Sequence, residues 1–272
     1  MRNIVHLSDL HFGACDATLL APLLRRVRQL EPHLVVVSGD LTQRARAAQF
    51  REARQYLDQL PSPQIVVPGN HDIPLYNVFQ RFFSPLDKYR RYINPDLEPA
   101  YIDDEIAVVG VNTARSLTFK RGRINEEQVQ RVHAILDPID ERVTKIIVTH
   151  HPFDLPDSQS ERDIVKRADM AMQMFADGGA DILLAGHIHV THTGDTSARY
   201  KIEGFAALVV QAGTAISTRH RGETNSFNFL CVESDAVRVD QYGWNPERQD
   251  YTVVNSETFD YTRDGWKEHS RS

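Results

Sequence analysis

Residues 4–11 read Ile-Val-His-Leu-Ser-Asp-Leu-His, a short strand-forming run that ends in a carboxylate and an imidazole. Runs rich in Val, Ile and Leu, bounded by turn residues, favour buried β-strands. The same arrangement of an apolar run followed by Asp, Asn or His occurs four more times along the chain. These later runs and their polar blocks are 34–37 with Gly39-Asp40, 65–67 with Gly69-Asn70-His71-Asp72, 146–148 with His150-His151, and 182–184 with Gly186-His187-Ile188-His189.

Five strands that end alike place their polar side chains along one edge of a sheet. In open α/β sheets, ligands bind in the crevice at the carboxyl ends of the strands. Asp, Asn and His are side chains that coordinate divalent ions. The pattern therefore predicts a hydrolytic metal centre at this edge.

The segments between these runs predict the fold class. Apolar residues recur at helical spacing over 20–30 and 50–60, which indicates a β-α-β-α-β order and a parallel sheet. Further helices are expected over 126–136 and 168–176. After His189 the pattern changes to short alternating strands, expected at 200–203, 208–211, 227–232, 237–242 and 251–254. We predict an α/β fold, a four-layer αββα sandwich of two mixed sheets flanked by helices.

The length of 272 residues fits one large α/β domain over 1–272. Residues 73–98 are rich in aromatic side chains and directly follow a polar block. They are interpreted as a helical insertion near the site, which either buries its own rings or forms a wall over the site. The polar residues 264–272 are expected to form a flexible tail.

The net charge of −6 and the absence of a dominant basic stripe argue against binding to a nucleic-acid polymer. Two cysteines favour a reducing compartment over a disulfide framework. The first apolar run is too short for a signal peptide, and no run is long enough to span a membrane. A cytoplasmic protein is expected, and its sheet edges and aromatic insertion are compatible with a homodimer.

Taken singly, Asp9-Leu10-His11 is a weak signal, and Gly39-Asp40 is weaker still because Gly-Asp after a strand is an ordinary turn. The five blocks in this order, however, resemble the signature of the calcineurin-like metallophosphoesterases. The resemblance spans residues 9–189 and comes nearest to class III cyclic-nucleotide phosphodiesterases and bacterial glycerophosphodiesterases. It implies a centre with two divalent metal ions and no organic cofactor.

The resemblance also implies the ligands of both ions. Asp9, His11 and His189 would hold the first ion, Asp40 would bridge, and Asn70, His150 and His187 would complete the second. His150 is preferred over His151 because it comes first after the strand. Mixed imidazole and carboxylate ligands favour Mn, Fe, Zn or Co over Mg or Ca.

The roles of His71 and Asp72 follow from their place beside Asn70. With Asn70 as a ligand, His71 is expected to face the substrate, as a general acid toward the leaving alkoxide or as a charged donor to phosphoryl oxygens. Asp72 would orient His71, as carboxylates orient imidazoles in other hydrolases. A structural role of Asp72 as a turn acceptor is the alternative.

Candidate substrate-binding residues lie on the neighbouring loops. Asn112 and Arg115 follow a strand, Arg219 lies in a later loop, and His151 is the neighbour of a predicted ligand. Arg suits phosphate because its fork of donors is bidentate. A solvated surface position is an equally good interpretation of each Arg.

The leading functional hypothesis is a metal-dependent phosphodiesterase that cleaves small phosphodiesters by attack of a metal-bound hydroxide. By resemblance, cyclic nucleotides are the first choice of substrate. Glycerophosphodiesters come next, followed by the pyrophosphate bonds of nucleotide sugars or lipids. From other classes, a metal-dependent nuclease and a non-catalytic interaction module are the alternatives. The acidic balance argues against the nuclease, and the complete set of blocks argues against the module.

Overall fold

The computed structural model describes residues 1–118, 120–156, 161–219, 222–263 and 265–269. The strands are β1 (Arg2–Leu7), β2 (Leu34–Val37), β3 (Gln64–Val66), β4 (Ala100–Ile102), β5 (Ile106–Gly110), β6 (Thr144–Val148), β7 (Ile182–Ala185), β8 (His192–Asp195), β9 (Leu208–Gln211), β10 (Ser226–Val232), β11 (Ala236–Asn245), β12 (Asp250–Thr262) and β13 (Gly265–Glu268). The helices are α1 (Ala17–Gln29), α2 (Ala47–Leu57), α3 (Val78–Phe83), α4 (Asp87–Tyr92), α5 (Glu126–Leu136) and α6 (Ala168–Asp177).

The strands form two mixed sheets. One has the order β13-β12-β11-β10-β1-β2-β3, and the other has the order β4-β5-β6-β7-β9-β8. Strands β1 to β3 are parallel to one another, as are β5, β6, β7 and β9. The parallel strands carry the polar blocks, so their carboxyl ends bring these blocks to one edge of each sheet.

Three apolar clusters define the layers. The cluster between the sheets contains side chains of both, including Ile4 of β1 and Val108 of β5. Leu7, on the other face of β1, packs with α1 and α2, while Ile147 of β6 packs with α5 and α6. Parallel strands covered on both faces need continuous apolar runs, which the sequence supplies. The predicted four-layer αββα sandwich is confirmed.

The helix boundaries agree closely with the sequence pattern. Asn125 caps α5 by accepting from the backbone N–H of Gln128 at 2.8 Å, and the Gln128 side chain accepts from the Asn125 N–H at 3.2 Å. This reciprocal pair is the capping box expected from these residue types. Gly178 is the C-cap of α6, close to the end at residue 176 that the pattern predicts.

One predicted strand and part of the predicted tail differ from the structure. Residues 200–203 form a loop in which the Tyr200 hydroxyl turns inward and donates to the Phe153 carbonyl at 2.6 Å. Residues 265–268 form the edge strand β13 rather than part of a flexible tail, because Trp266 is buried with 1% of its surface exposed. Residues 264 and 270–272 of the expected tail lie outside the described residues.

The insertion over 73–98 contains α3 and α4 and is only partly buried. Tyr89 is fully buried against Phe50 of α2, and its hydroxyl donates to the Val66 carbonyl at 2.8 Å. Phe79 and Phe83 of α3 remain 72% and 75% exposed. The insertion is therefore anchored by α4, while α3 presents aromatic rings to solvent. None of the helices in the described ranges is long and apolar enough to cross a membrane.

Candidate metal centre

The first cluster joins the loops that follow β1 and β7. Nε2 of His11 lies 3.2 Å from Nε2 of His189. Oδ1 of Asp9 lies 3.1 Å from the His189 nitrogen and 3.5 Å from the His11 nitrogen. Asp9 and His11 are fully buried. Three atoms that carry lone pairs thus converge on a small buried volume.

The second cluster joins the loops that follow β3, β6 and β7. Nε2 of His150 lies 3.1 Å from Oδ1 of Asn70 and 3.3 Å from Nδ1 of His187. Oδ2 of Asp40 links the two clusters, at 3.4 Å from His150 Nε2 and 3.8 Å from His11 Nε2. The structure therefore brings all seven predicted ligands into one continuous site.

An unusual backbone conformation places many of these side chains. Non-glycine residues rarely adopt positive φ, and such strain clusters at functional sites. Here it turns the chain sharply after β1, β2 and β7, so that polar side chains from these loops reach the site. The predicted ligands with positive φ are Asp9 (53°), His11 (49°), Asp40 (52°), His187 (78°) and His189 (58°).

Two glycines let chain segments approach closely at the site. A Cβ atom on Gly69 would lie 2.1 Å from Oδ1 of Asp40 and 2.3 Å from the Asp40 backbone nitrogen. A Cβ atom on Gly39 would lie 2.7 Å from Nδ1 of His150, and Gly39 also has a φ of +94°. Both positions therefore require glycine, which explains the Gly in these two blocks.

Two of the imidazoles are oriented by backbone carbonyls. Nδ1 of His150 lies 2.8 Å from the Ser38 carbonyl, and Nδ1 of His189 lies 2.8 Å from the Arg219 carbonyl. Since a carbonyl only accepts, each Nδ1 carries a proton and donates it. In the neutral imidazole each Nε2 then keeps its lone pair directed into the site, the arrangement found in metal-ligating histidines.

The carboxylates of the site stay ionised despite burial. Burial alone would raise the pKa of Asp40, but the imidazoles around it, His150 foremost, hold the pKa far below its usual range. His189 and His11 act in the same way on the pKa of Asp9. In turn, the Asp40 charge outweighs burial and raises the pKa of His150 to about 9. Buried negative charge of this kind attracts cations.

The residues fit a pair of divalent ions. Among the described residues, the buried atoms Oδ1 of Asp9 and Nε2 of His151 have no hydrogen-bond partner. Buried polar atoms without partners are costly, and coordination to a cation would satisfy them. Three groups each offer three ligand atoms within 4.8 Å of one another: Asp9-His11-His189, Asp9-Asp40-His150 and His150-His151-His187.

A comparison of the sequence with protein families shows which family the chain belongs to. The profile of the calcineurin-like phosphoesterases matches residues 2–191, well over half of the chain. The chain belongs to the calcineurin-like phosphoesterase family. The resemblance carried by the five polar blocks is confirmed, and the His/Asp clusters are consistent with the dimetal site typical of this family.

The chain has distant relatives with named activities. It is 24% identical over 176 residues to the glycerophosphodiester phosphodiesterase GpdQ of Enterobacter lignolyticus, covering 58% of this chain and 60% of that protein. It is 27% identical over 170 residues to the 3′,5′-cyclic adenosine monophosphate phosphodiesterase CpdA of Escherichia coli, covering 60% of this chain and 57% of that protein. The chain thus spans about three fifths of these curated relatives.

A solved structure shares the fold of this chain, although its sequence is less similar than those of the two relatives. The structure of PhoD superposes with a TM-score of 0.74 at 9% identity, over 100% of this chain and 72% of that chain. At this identity the likeness concerns the fold alone.

The structure corrects the predicted pairing of Asp72 with His71. Both Asp72 oxygens accept hydrogen bonds from elsewhere, with the Thr42 N–H and the Gly69 N–H each at 2.9 Å and the Leu41 N–H at 3.2 Å. Asp72 is therefore the structural turn acceptor that was the alternative interpretation. It ties the loop after β3 to the loop after β2.

His71 is oriented by other groups. Its Nδ1 lies 3.0 Å from the Gln43 carbonyl, and its Nε2 lies 3.0 Å from Nη1 of Arg219. Burial lowers the pKa of His71, although Asp40 opposes the shift. Nε2 thus accepts a hydrogen bond from Arg219, and the lowered pKa favours the neutral imidazole.

Asn112 and Arg115 do not reach this site. The Arg115 guanidinium donates to the Asn112 carbonyl at 2.8 Å and to the Ala114 carbonyl at 2.9 Å, and it also contacts Gln128. Both residues line a separate polar cavity together with Glu98. The structure therefore does not bring these two residues to the metal centre, because the Arg115 fork is used to hold its own loop.

His151 is fully buried, which argues against its predicted contact with substrate. Its Nδ1 lies 2.8 Å from Oγ1 of Thr113, and its ring centroid lies 4.5 Å from that of His187. The preferred ligand of the pair remains His150, whose Nε2 faces Asn70 and Asp40. His151 also offers a ring nitrogen within 4.8 Å of ligand atoms of His150 and His187, and its Nε2 has no hydrogen-bond partner, so it is a second candidate ligand at this cluster.

The opening of the site is a cavity that has His71 and Asn70 in its wall. Its cationic lining was only partly predicted: Arg219 was expected there, whereas Arg44 and Lys120 were not. Arg44 follows the Gly39-Asp40 block by four residues, so a search beyond the block would have found it. Lys120 carries no motif, and its position depends on the loop after β5.

Proposed function

We propose that this protein is a dinuclear metal-dependent phosphohydrolase that cleaves small phosphodiesters. The observation that carries the proposal is the Asp40 carboxylate, whose Oδ2 lies 3.8 Å from His11 Nε2 and 3.4 Å from His150 Nε2. One carboxylate oxygen shared by two ligand clusters is suited to bridging two ions. Two-metal sites of this kind serve displacement reactions at phosphorus.

The proposed ligand assignment follows the two clusters. Imidazole and carboxylate donors together favour Mn, Fe, Zn or Co. The first ion would bind Asp9, His11, His189 and Asp40, and the second ion would bind Asp40, Asn70, His150 and His187.

The protein side chains around the ions bind and protonate the substrate. When bound, the two ions would supply Lewis acidity toward the phosphoryl group and a water of lowered pKa. Arg219 and Lys120 are placed to receive phosphoryl oxygens at the cavity. An anionic substrate that takes over the Arg219 hydrogen bond would also favour a protonated His71 by its charge. His71 would then give the Nε2 proton to the leaving oxygen.

Cyclic nucleotides are the proposed substrate class, with glycerophosphodiesters second. The support is the printed activity of the two relatives, a cyclic adenosine monophosphate phosphodiesterase and a glycerophosphodiester phosphodiesterase. The described residues that line the pocket include Arg and Lys side chains and no carboxylate, and such a pocket suits a diester monoanion.

The test is turnover of bis-p-nitrophenyl phosphate by protein loaded with Mn²⁺, together with the metal content of the same sample. We expect two ions per chain, release of p-nitrophenolate, and loss of turnover on chelation that Mn²⁺ restores. Protein that binds two ions and leaves this diester intact would contradict the proposal. A parallel screen of 3′,5′-cyclic nucleotides, glycerophosphodiesters and p-nitrophenyl phosphate then separates the substrate classes.

A further inference from the structure

A group of large apolar side chains is exposed beside the opening of the metal centre. Phe79 and Phe83 are 72% and 75% exposed. Their rings contact each other, with centroids 4.7 Å apart. Exposed apolar patches of this kind mark interaction sites. We name the group the apolar tip; it consists of Leu75, Tyr76, Val78, Phe79, Phe82, Phe83 and Leu117.

The apolar tip is one surface, although it comes from two segments of the chain. Nε of Arg81 donates to the Ser116 carbonyl at 2.8 Å and so ties α3 to the loop after β5. Phe82 and Leu117 line the same cavity, of about 510 Å³. Leu75 lines the opening of the metal centre together with His71. The tip therefore borders the site directly.

The border of the apolar tip is cationic. In a chain with a net charge of −6, residues 73–86 and 106–125 contain no Asp or Glu. The guanidinium of Arg44 lies 5.7 Å from the ring centroid of Tyr76. Lys120 and Arg123 are exposed on the segment that carries Leu117. Apolar side chains surrounded by cations thus form one local surface of an otherwise acidic protein.

We propose that the apolar tip binds the surface of a membrane that contains anionic phospholipids. Apolar and aromatic side chains insert at the boundary between headgroups and acyl chains, while Lys and Arg contact the anionic headgroups. Val78, Phe79, Phe82 and Phe83 of α3 are spaced by one, four and five residues, so they share one helix face. That face can enter the membrane while the cations stay at headgroup level.

Charge complementarity favours a membrane over other occupants. In a two-fold dimer through the tip, each copy would bring Lys120 and Arg123 toward the same cations of its partner. Single-stranded nucleic acid also pairs aromatic side chains with cations, but it stacks on aromatic faces. The aliphatic side chains Leu75, Val78 and Leu117 within the tip suit acyl chains better.

The experiment measures flotation of the full-length protein with vesicles of phosphatidylcholine alone or with phosphatidylglycerol added. We expect binding to the mixed vesicles, weaker binding to phosphatidylcholine alone, and loss of binding as salt screens the charges. The double variant Phe79→Ser/Phe83→Ser should lower the partition coefficient by at least about tenfold, since two exposed rings would no longer insert. Arg123→Gln, at the cationic border of the tip, should lower it for the mixed vesicles only.

The matched control is Val253→Ser/Val254→Ser, which removes two exposed apolar side chains from β12 and should leave flotation unchanged. The Phe79→Ser/Phe83→Ser variant should hydrolyse a soluble diester at the rate of the parent. This measurement reports on folding of the variant and tests the proposed function separately. Equal flotation of that variant and the parent would overturn the membrane proposal. The proposal would also be overturned if light scattering showed that the variant only dissociates a dimer. It would likewise be overturned if the protein bound single-stranded DNA through these Phe residues and did not float with vesicles.

Discussion

Asp40 and Asp72 are two buried carboxylates in neighbouring loops, each with 1% of its surface exposed. Oδ2 of Asp40 faces the imidazoles of His11 and His150, and the pKa of Asp40 lies far below its usual range. Asp72 faces backbone N–H groups instead. Burial and the nearby Asp40 charge raise its pKa to about 6, although those N–H groups oppose the shift.

The difference shows that burial of a carboxylate does not identify a ligand. Asp40 has an oxygen directed at nitrogen lone pairs that can share a cation, whereas the hydrogen bonds of Asp72 are made within the protein. One Asp40 oxygen also accepts from the His71 N–H at 2.8 Å, so the oxygen that faces the imidazoles is the one that makes Asp40 a candidate ligand, whereas both Asp72 oxygens face N–H donors. Each of the following variants tests one side of this comparison.

The largest effect is expected for Asp40→Ala. Because one Asp40 oxygen lies near both clusters, its loss should remove metal from both positions and lower diester turnover by on the order of a thousandfold or more. Metal content by mass spectrometry after gel filtration, with turnover on the same sample, checks this. Asp58→Ala, on the exposed end of α2, is the control and should keep both ions. One ion held tightly by the Asp40 variant would show that the carboxylate does not bridge.

The next effect is expected for His71→Ala. This variant should keep both ions and lose about 10²- to 10⁴-fold in turnover of diesters with an alkoxide leaving group, the range of general acid catalysis. The loss should be much smaller for p-nitrophenolate, which leaves without a proton. The ratio of the two rates is the measurement, and His133→Ala on α5 serves as control. Equal metal loss in the His71 variant would assign it to the metal set instead.

Asp72→Asn tests the structural side of the comparison. The amide would present an NH₂ group to donors at Gly69, Leu41 or Thr42, so we expect a loss of about 2–3 kcal/mol in the free energy of unfolding. Both ions should remain, and turnover should fall less than tenfold. Urea unfolding and metal content measure these outcomes. A variant of normal stability and metal content whose turnover falls as in His71→Ala would restore the orienting role of Asp72.

The sandwich and the place of the site could be predicted from sequence, because continuous apolar runs specify buried parallel strands and each run is followed by polar residues. The directions of side chains could not be predicted. Asp72 and Arg115 carry residue types suited to the site, but local turns direct them to backbone groups. The edge strands β8 and β13 were missed because their short, polar sequences lack a periodic pattern.

The smallest effect concerns Asp181, a carboxylate that has N–H donors and no imidazole partner among the described residues. It accepts from the Lys145 backbone N–H at 2.8 Å and from Nε1 of Trp266 at 3.4 Å, and burial raises its pKa from 3.8 to about 6. A raised folded-state pKa means that the folded protein holds this proton more tightly than the unfolded chain. The stabilisation is present below pH 4 and is lost as the pH rises through 6.

Asp181→Asn should remove this dependence, because the amide does not titrate. Between pH 4 and 6.5 the parent should lose about 2 kcal/mol of unfolding free energy relative to the variant. Urea unfolding of both proteins across this range measures how the free energy of unfolding changes with pH. Any constant cost of the amide cancels in that change. Parallel curves would mean that the Lys145 and Trp266 donors already keep Asp181 ionised at low pH. Asp181 would then be ionised like Asp40, although it lacks imidazole neighbours. The type of neighbouring donor, imidazole or N–H, would then not be enough to distinguish a candidate ligand carboxylate from a structural one.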